Sequence, residues 1–294
     1  MNQIAIIGPT ASGKSDLAIA YALKNNAYIL SIDSLSIYKE VDIVSAKPSK
    51  EELSLVKHFG IDELFIDEYF SVEIFIELYK QAFLTCKQEN KNLVIVGGTS
   101  FYLKTLLNGL SPVPPVSKEI QRDVLYQLKD IQKAYQKLLK LDPKYMQQIS
   151  PNDRYRIEKA LLIFEATKQV PSQWFQQNPP KPIIKDIDIF EIEVSRDILR
   201  QRISERTQKM LQNGLIDEIC YLERKYTRLP NPMKSIGIIE TLDYLDGKIT
   251  KKELQELITT HTAQLAKRQE TFNRSQFLHV KKKTLQELQK FLLS

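Results

Sequence analysis

An α/β fold, with a parallel sheet wound by helices and interrupted by a helical insertion, is what this sequence predicts. Three observations carry it. Short apolar runs alternate with helical patterns, a glycine-rich loop stands between the first run and the first helix, and two proline-rich segments bracket a purely helical stretch.

In chain order, Gln3 to Ile7 reads as a strand, and Ser15 to Leu23 as the helix that follows the glycine-rich loop. Tyr28-Ile29-Leu30-Ser31-Ile32 is a second strand that runs into Asp33. Leu93-Val94-Ile95-Val96 is a third, running into Gly97-Gly98-Thr99. Between them Ser71 is placed to cap a helix from Val72 to about Gln88. The pattern changes at Ser111-Pro112-Val113-Pro114-Pro115. Beyond it, Lys118 to Leu141 reads as one long helix with Ile120, Val124, Leu128, Ile131, Tyr135 and Leu138 roughly on one side. Helix continues over Arg154 to Thr167 and closes at Asn178-Pro179-Pro180-Lys181-Pro182. A strand near Ile187 to Val194 then leads back to a mainly helical remainder. The expected organisation is therefore residues 1–115 as the first part of the core, 116–182 as the insertion, and 183–294 as the return to the core with C-terminal helices.

With 294 residues, 43% of them hydrophobic, the chain can fill one large domain or two smaller ones, which excludes bulk disorder. Met1-Asn2-Gln3 opens no signal-like segment, and no run approaches the ~18 apolar residues of a membrane span. A soluble, cytoplasmic protein is expected, and nothing calls for more than a monomer. Cys86 and Cys220 lack a paired spacing and read as buried thiols, and His58, His261 and His279 are too scattered for a zinc site. The net charge of +6 is uneven: Lys248 to Ser294 holds ten Lys or Arg against four Asp or Glu. Such a segment fits either a polyanionic partner or a solvated charged face.

The chemistry starts at Gly8-Pro9-Thr10-Ala11-Ser12-Gly13-Lys14-Ser15, which matches the P-loop pattern in full and sits between a strand and a helix. In such a loop, glycines turn backbone N–H groups toward an anion, the helix N-terminus adds positive charge, and the lysine reaches a terminal phosphate. Ser15 is placed to hold Mg²⁺ bridging phosphate oxygens. The core is thus P-loop NTPase-like, and in a parallel sheet the loop, Asp33 and Thr99 meet at the strand ends where ligands bind. Three roles stay open for Asp33: general base, metal ligand, or cap of its own turn. Thr99 either meets a ligand or caps the helix of Phe101. The third strand ends in Val-Gly-Gly with no Walker B carboxylate, which disfavours an ordinary ATPase. Arg206 shares an inward stripe with Leu199, Ile203 and Met210 on a helix that Ser195 is expected to cap. It needs an anionic partner, either a bound diphosphate or a core carboxylate, unless it snorkels to solvent. Ala266 to Arg274 concentrates cations beside Phe272, in the manner of a nucleic-acid contact or of a plain amphipathic helix.

Taken together, these segments resemble the tRNA dimethylallyltransferases, also called tRNA isopentenyltransferases. The resemblance runs from the P-loop through Asp33-Ser34, Ile37-Tyr38, Asp42-Ile43 and Ala46-Lys47-Pro48 to Val96-Gly97-Gly98-Thr99 with Tyr102. It continues through Pro151-Asn152-Asp153, Arg156, Ala160-Leu161, Met210, Gly214 and Ile236-Gly237 to Ala266-Lys267-Arg268-Gln269. The resemblance implies transfer of a dimethylallyl group from dimethylallyl diphosphate to the exocyclic amine of the adenine 3′ of the anticodon. It makes the P-loop the site of the diphosphate with Mg²⁺, although the same motif is an ATP-binding pattern. It makes Asp33 the general base, Thr99 a contact near the reacting groups and Arg206 a diphosphate ligand.

For the anticodon arm of tRNA the resemblance implies contacts from Asp33, Ser34, Leu35, Ser36, Thr99, Gln121, Tyr155, Arg156, Lys159, Lys267, Arg268 and Gln269, with the insertion among the tRNA-contacting parts. The chain departs from the family pattern at Ser36, where glutamine is usual, and at Val44-Ser45, which replaces Gly-Thr. It also departs at Gln121, at the block Tyr155-Arg156-Ile157-Glu158-Lys159, and at Thr271-Phe272-Asn273-Arg274. No Cys/His finger follows the core, as in the shorter bacterial form. The main rival is a small-molecule or nucleotide kinase using the same loop for ATP, and a second is an RNA-binding protein with a vestigial P-loop.

Overall fold

A computed structural model describes residues 1–294, and the chain divides into two compact units: Met1–Leu106 with Ile184–Ser294, and Leu107–Ile183. The first unit begins β1 (Gln3–Ile7), α1 (Lys14–Lys24), β2 (Ala27–Ser31), α2 (Lys50–Leu55), β3 (His58–Phe59), α3 (Val72–Gln88) and β4 (Asn92–Gly97), followed by α4 (Ser100–Asn108). The second unit holds α5 (Lys118–Gln127), α6 (Ile131–Leu141), α7 (Pro143–Met146), α8 (Arg154–Thr167) and α9 (Pro171–Gln177). The first unit then resumes with β5 (Asp188–Glu193), α10 (Arg196–Gln212), α11 (Leu215–Tyr226), a 3₁₀ turn at Asn231–Lys234, α12 (Ile238–Leu245) and α13 (Lys251–Gln276). It ends in β6 (Val280–Thr284) and α14 (Leu285–Leu292).

All strands are parallel in one sheet ordered β3-β2-β4-β1-β5-β6. Alternation along β1 sends Ile4 and Ile6 to one face, where they pack with Leu17, Ala18 and Tyr21 of α1 and Leu288 of α14. Burial on both faces explains the continuous apolar runs of the inner strands. Ile7 pairs with Gly97 and with Glu191, and Ser31 with Val96, so the carboxyl ends of β1, β2 and β4 lie level. A second apolar cluster joins Ile37, Val41, Val44 and Ile66 to Leu215, Ile219, Leu242, Leu254 and Ile258, and so fixes the long β2–α2 connection on α11, α12 and α13.

Several local expectations change. The helix expected over 118–141 is broken into α5 and α6, because Asp130 accepts a hydrogen bond from Lys133 N–H at 3.0 Å and starts a new helix. Val124, Leu128, Tyr135 and Leu138 still share one core, which is why their periodicity reads through the break. The first unit boundary falls at Leu107 rather than 116: the proline segment packs within the helical unit, where Trp174 Nε1–H donates to Pro112 O at 2.9 Å. The edge strand β6 stands where only helix was expected. Its Lys281-Lys282-Lys283 run hides it, and Lys281–Asp188 (2.7 Å) and Lys282–Glu191 (2.9 Å) ion pairs tie it to β5. Cys86 is buried, but Cys220 is exposed because Ile219 and Leu222 take the inward face of α11. Ser195 occupies the N-cap position of α10 without a side-chain capping bond.

Asp130→Ala tests the break by its sign. Loss of a working cap costs about 0.5–2 kcal/mol, whereas Ala in the interior of a continuous helix would stabilise. We expect a lower melting temperature and faster amide exchange at 131–133.

Candidate active site

The P-loop turns because Gly13 sits at φ 89°, in the left-handed region, with no room for a side chain: a Cβ there would stand 2.8 Å from Leu285. Lys14, the first residue of α1, is buried, and its Nζ folds back to donate to Pro9 O at 3.2 Å. Burial lowers its pKa to about 8; the Asp33 carboxylate opposes that shift and the Arg206 guanidinium adds to it.

Two arginines from α10 face the same loop. Arg206 Nη1 donates to Thr10 Oγ1 at 3.2 Å and Nη2 to Ser45 O at 3.3 Å, and Arg202 Nη1 donates to Ser12 O at 3.3 Å. Burial lowers the Arg206 pKa, with Asp33 opposing. The core carboxylate that was one option for Arg206 is absent: its partners are neutral oxygens, and none of Lys14, Arg202 and Arg206 forms an ion pair. Three cations without counter-ions converging on a loop of backbone N–H groups make a site for a polyanion. Arg202 was not singled out in the sequence, although it lies one helical turn before Arg206.

Asp33 follows β2 and uses its two oxygens differently. Oδ1 accepts from Leu35 N–H at 2.9 Å and Ser36 N–H at 3.3 Å, so the turn-capping role is real. Oδ2 has no hydrogen-bond partner in the protein. Thr99 receives its position from its N–H, which donates to Ile32 O at 3.2 Å, and it lines a chamber together with Thr10, Asp33 and Arg206. The same chamber is lined by the apolar side chains of Val44, Ile203, Met210, Ile236, Ile258 and Leu265. A cationic group, polar groups and apolar side chains therefore share one cavity.

The loop carrying Ser45 is pinned from two sides. Glu218 accepts the N–H groups of Asp42, Ile43 and Val44 at 2.9, 2.7 and 3.0 Å, and the buried Lys47 reaches Asp42 and Asp62, both at 2.6 Å, and Tyr38 O at 2.7 Å. Ser15 lines the outer side of the P-loop beside Lys14, with Asp16, Glu52 and Glu205 on the same wall. No three His, Cys, Asp or Glu residues converge as a metal cage. One hydroxyl with scattered carboxylates suits Mg²⁺, which keeps waters and takes phosphate oxygens as ligands.

Of the other expected RNA contacts in the first unit, Ser34, Lys267 and Arg268 are exposed and Leu35 is half-buried. Ser36 is instead only 5% exposed, because its N–H closes the Asp33 turn and draws the side chain beneath it. Gln269 turns inward, its Oε1 accepting Thr10 N–H at 2.9 Å. In the helical unit Gln121, Tyr155 and Arg156 are exposed. Lys159 is half-buried with its ammonium 5.7 Å from the Tyr155 ring centre, and Arg156 pairs with Asp153.

Residues 36–276 match the family described as IPP transferase. The chain belongs to that family. The family is also met over the whole length: the chain is 63% identical to the tRNA dimethylallyltransferase of Sulfurimonas denitrificans, covering 100% of this chain and 99% of that one. It is 56% identical to that of Sulfurovum sp., covering 100% and 98%. Among solved family structures, a tRNA isopentenylpyrophosphate transferase of Staphylococcus epidermidis superposes with a TM-score of 0.70 at 30% identity, over 99% of this chain and 96% of that one. A eukaryotic dimethylallyltransferase acting on tRNA superposes with a TM-score of 0.84 at 26% identity, over 99% and 76%. These likenesses include the P-loop and Asp33, which precede the family-matched span.

The depressed Lys14 pKa gives a pH test. The ammonium is present below about pH 8 and is lost above it, so a diphosphate ligand should bind severalfold more weakly at pH 9 than at pH 8. Lys14→Arg should flatten that dependence in an isothermal titration.

Proposed function

We propose that this chain transfers the dimethylallyl group of dimethylallyl diphosphate to the N6 amine of the adenine 3′-adjacent to the tRNA anticodon. Dimethylallyl transfer to tRNA is the activity of its family, and the kinase alternative is not favoured. The observation that supports the finer reading is the shared cavity: the Arg206 guanidinium and Thr10 line it together with the apolar side chains of Ile203, Met210 and Ile258. A short alkyl diphosphate needs that combination, with its leaving group on the cations and its hydrocarbon out of water.

The adenine amine is a weak nucleophile, so the rate comes from positioning, proton removal and neutralisation of the leaving group. The N6 nitrogen attacks C1 of the donor as the C1–O bond breaks. Diphosphate leaves with the bonding electrons, and the N6 proton passes to Asp33 Oδ2. Oδ1 stays fixed by the Leu35 and Ser36 N–H groups, which keeps the base aimed. Lys14, Arg202 and Arg206 take the charge that develops on the diphosphate. Ser15 is the hydroxyl that would hold Mg²⁺, which supplies further charge neutralisation when bound. The adenine must leave its stack to enter.

For the tRNA, the exposed Ser34, Lys267 and Arg268 in the first unit and Gln121, Tyr155, Arg156 and Lys159 in the helical unit are assigned to the anticodon arm. No helix is long and apolar enough to cross a membrane, and a monomer in the cytoplasm fits the reading.

Labelled dimethylallyl diphosphate and unmodified tRNA provide the test: label should appear in tRNA as isopentenyladenosine on nucleoside analysis, and consumption of ATP without labelled tRNA would return the kinase. Asp33→Asn separates its two duties, because the amide oxygen can still cap the turn. Turnover should fall by about 10²–10⁴-fold with donor affinity nearly unchanged, and near-normal turnover would leave Asp33 a cap alone. Arg206→Ala should act chiefly on donor affinity, weakening it by about tenfold or more, the loss of a charge-assisted bond.

A further inference from the structure

Gln269 belongs to a stripe that the charged residues beside it conceal. Ala266 and Asn273, three before and four after it on α13, are both 1% exposed, whereas Lys267 and Arg268 face solvent. Its Oε1 accepts Thr10 N–H at 2.9 Å, and the Thr10 hydroxyl is held by Arg206. Thr10 is thus fixed at both polar atoms by the two helices, α10 and α13, that wall the chamber. Because Oε1 must face the donor, Nε2 lies on the other side of the carboxamide. It donates no hydrogen bond within the protein, and it sits so close over Gly98 that a Cβ there would stand 2.4 Å from it. Gly98 directly precedes Thr99, and Gln269 and Thr99 line the same chamber as Asp33. One side chain therefore spans from the loop that takes the leaving group to the turn beside the base.

We infer that Gln269 is a positioning residue for the transfer. It locks the P-loop at Thr10 in its diphosphate-binding form and, by its seat on Gly98, sets that loop at a fixed separation from the Asp33–Thr99 end where the amine attacks. The role rests on the prenyl-transfer reading. A side chain at position 98 would press on the free end of the carboxamide.

The test measures donor affinity by titration of the full chain with dimethylallyl diphosphate and Mg²⁺, tRNA affinity by filter binding, and melting temperature. Gln269→Met keeps the side-chain volume and removes the acceptor. The donor Kd should rise about tenfold, the size of one hydrogen bond, while the tRNA Kd stays within about twofold. Gly98→Ala, which keeps the glutamine but crowds its carboxamide, should move the donor Kd the same way. The double variant should be no worse than the poorer single one, because both break one contact. An unchanged donor Kd in Gln269→Met, effects that multiply in the double variant, or a loss confined to the tRNA Kd would each overturn the inference, the last making Gln269 an RNA contact. The reading beneath it fails differently: a wild-type protein that binds donor but puts no label on tRNA would refute prenyl transfer, and the Kd comparison would still decide what Gln269 does.

Discussion

The structure around the P-loop is organised by a repulsion. Lys14, Arg202 and Arg206 are drawn onto one loop without counter-ions, and their partners are the carbonyl and hydroxyl oxygens of Pro9, Ser12, Thr10 and Ser45. Cations held this way cost free energy, and burial pushes the Lys14 pKa down to about 8. The supports around the site answer that cost. Lys47 and Glu218 pin the loop that offers Ser45 O, the second apolar cluster anchors the same loop from behind, and Gln269 pins Thr10. A polyanion received among these cations would offset the repulsion.

Asp33 shows how one carboxylate serves structure and chemistry together. With Oδ1 spent on two backbone N–H groups, the side chain has no freedom to turn toward Lys14 and pair with it, which would silence it as a base. The carboxylate and the ammonium stay close enough to influence each other and too far apart to form an ion pair.

Much of this is legible in the sequence, for physical reasons that differ by element. β1, β2 and β4 are apolar runs that lead into glycine, serine or acid, and β5 sets Ile189, Phe190 and Ile192 among acidic residues, so each still reads as a strand. The P-loop is legible because each residue type answers a steric or electrostatic demand. β6 is not, because an edge strand can be stabilised by ladder bonds and ion pairs to β5 with no apolar face of its own. The break at Asp130 is hidden because the core accepts the apolar residues of α5 and α6 alike. At the site, Asp33, Thr99 and Arg206 follow from strand ends and a helical stripe. Arg202 and Gln269 do not, because each points at loop backbone, and a hydrogen bond to a carbonyl or an N–H leaves no mark in the partner's residue type.

The same reasoning says where specificity resides. A P-loop at the end of β1 recognises phosphate and is indifferent to what the phosphate carries. Most of the apolar lining beside the loop comes from α10, α13 and the Ile236-Gly237 turn, all in the C-terminal half of the chain. Glu240 holds that turn by accepting Gly237 N–H at 2.6 Å while its other oxygen meets His261 Nδ1 at 2.5 Å, so the apolar wall is set by a buried polar bracket that does not itself enter the chamber. In an ATP-using enzyme the end of β4 would bear a metal-binding carboxylate; here it bears Gly97-Gly98, and the bare Gly98 leaves the space that Gln269 fills. The catalytic identity of this fold is therefore decided less by its phosphate loop than by the helices that approach the loop from the far end of the sequence.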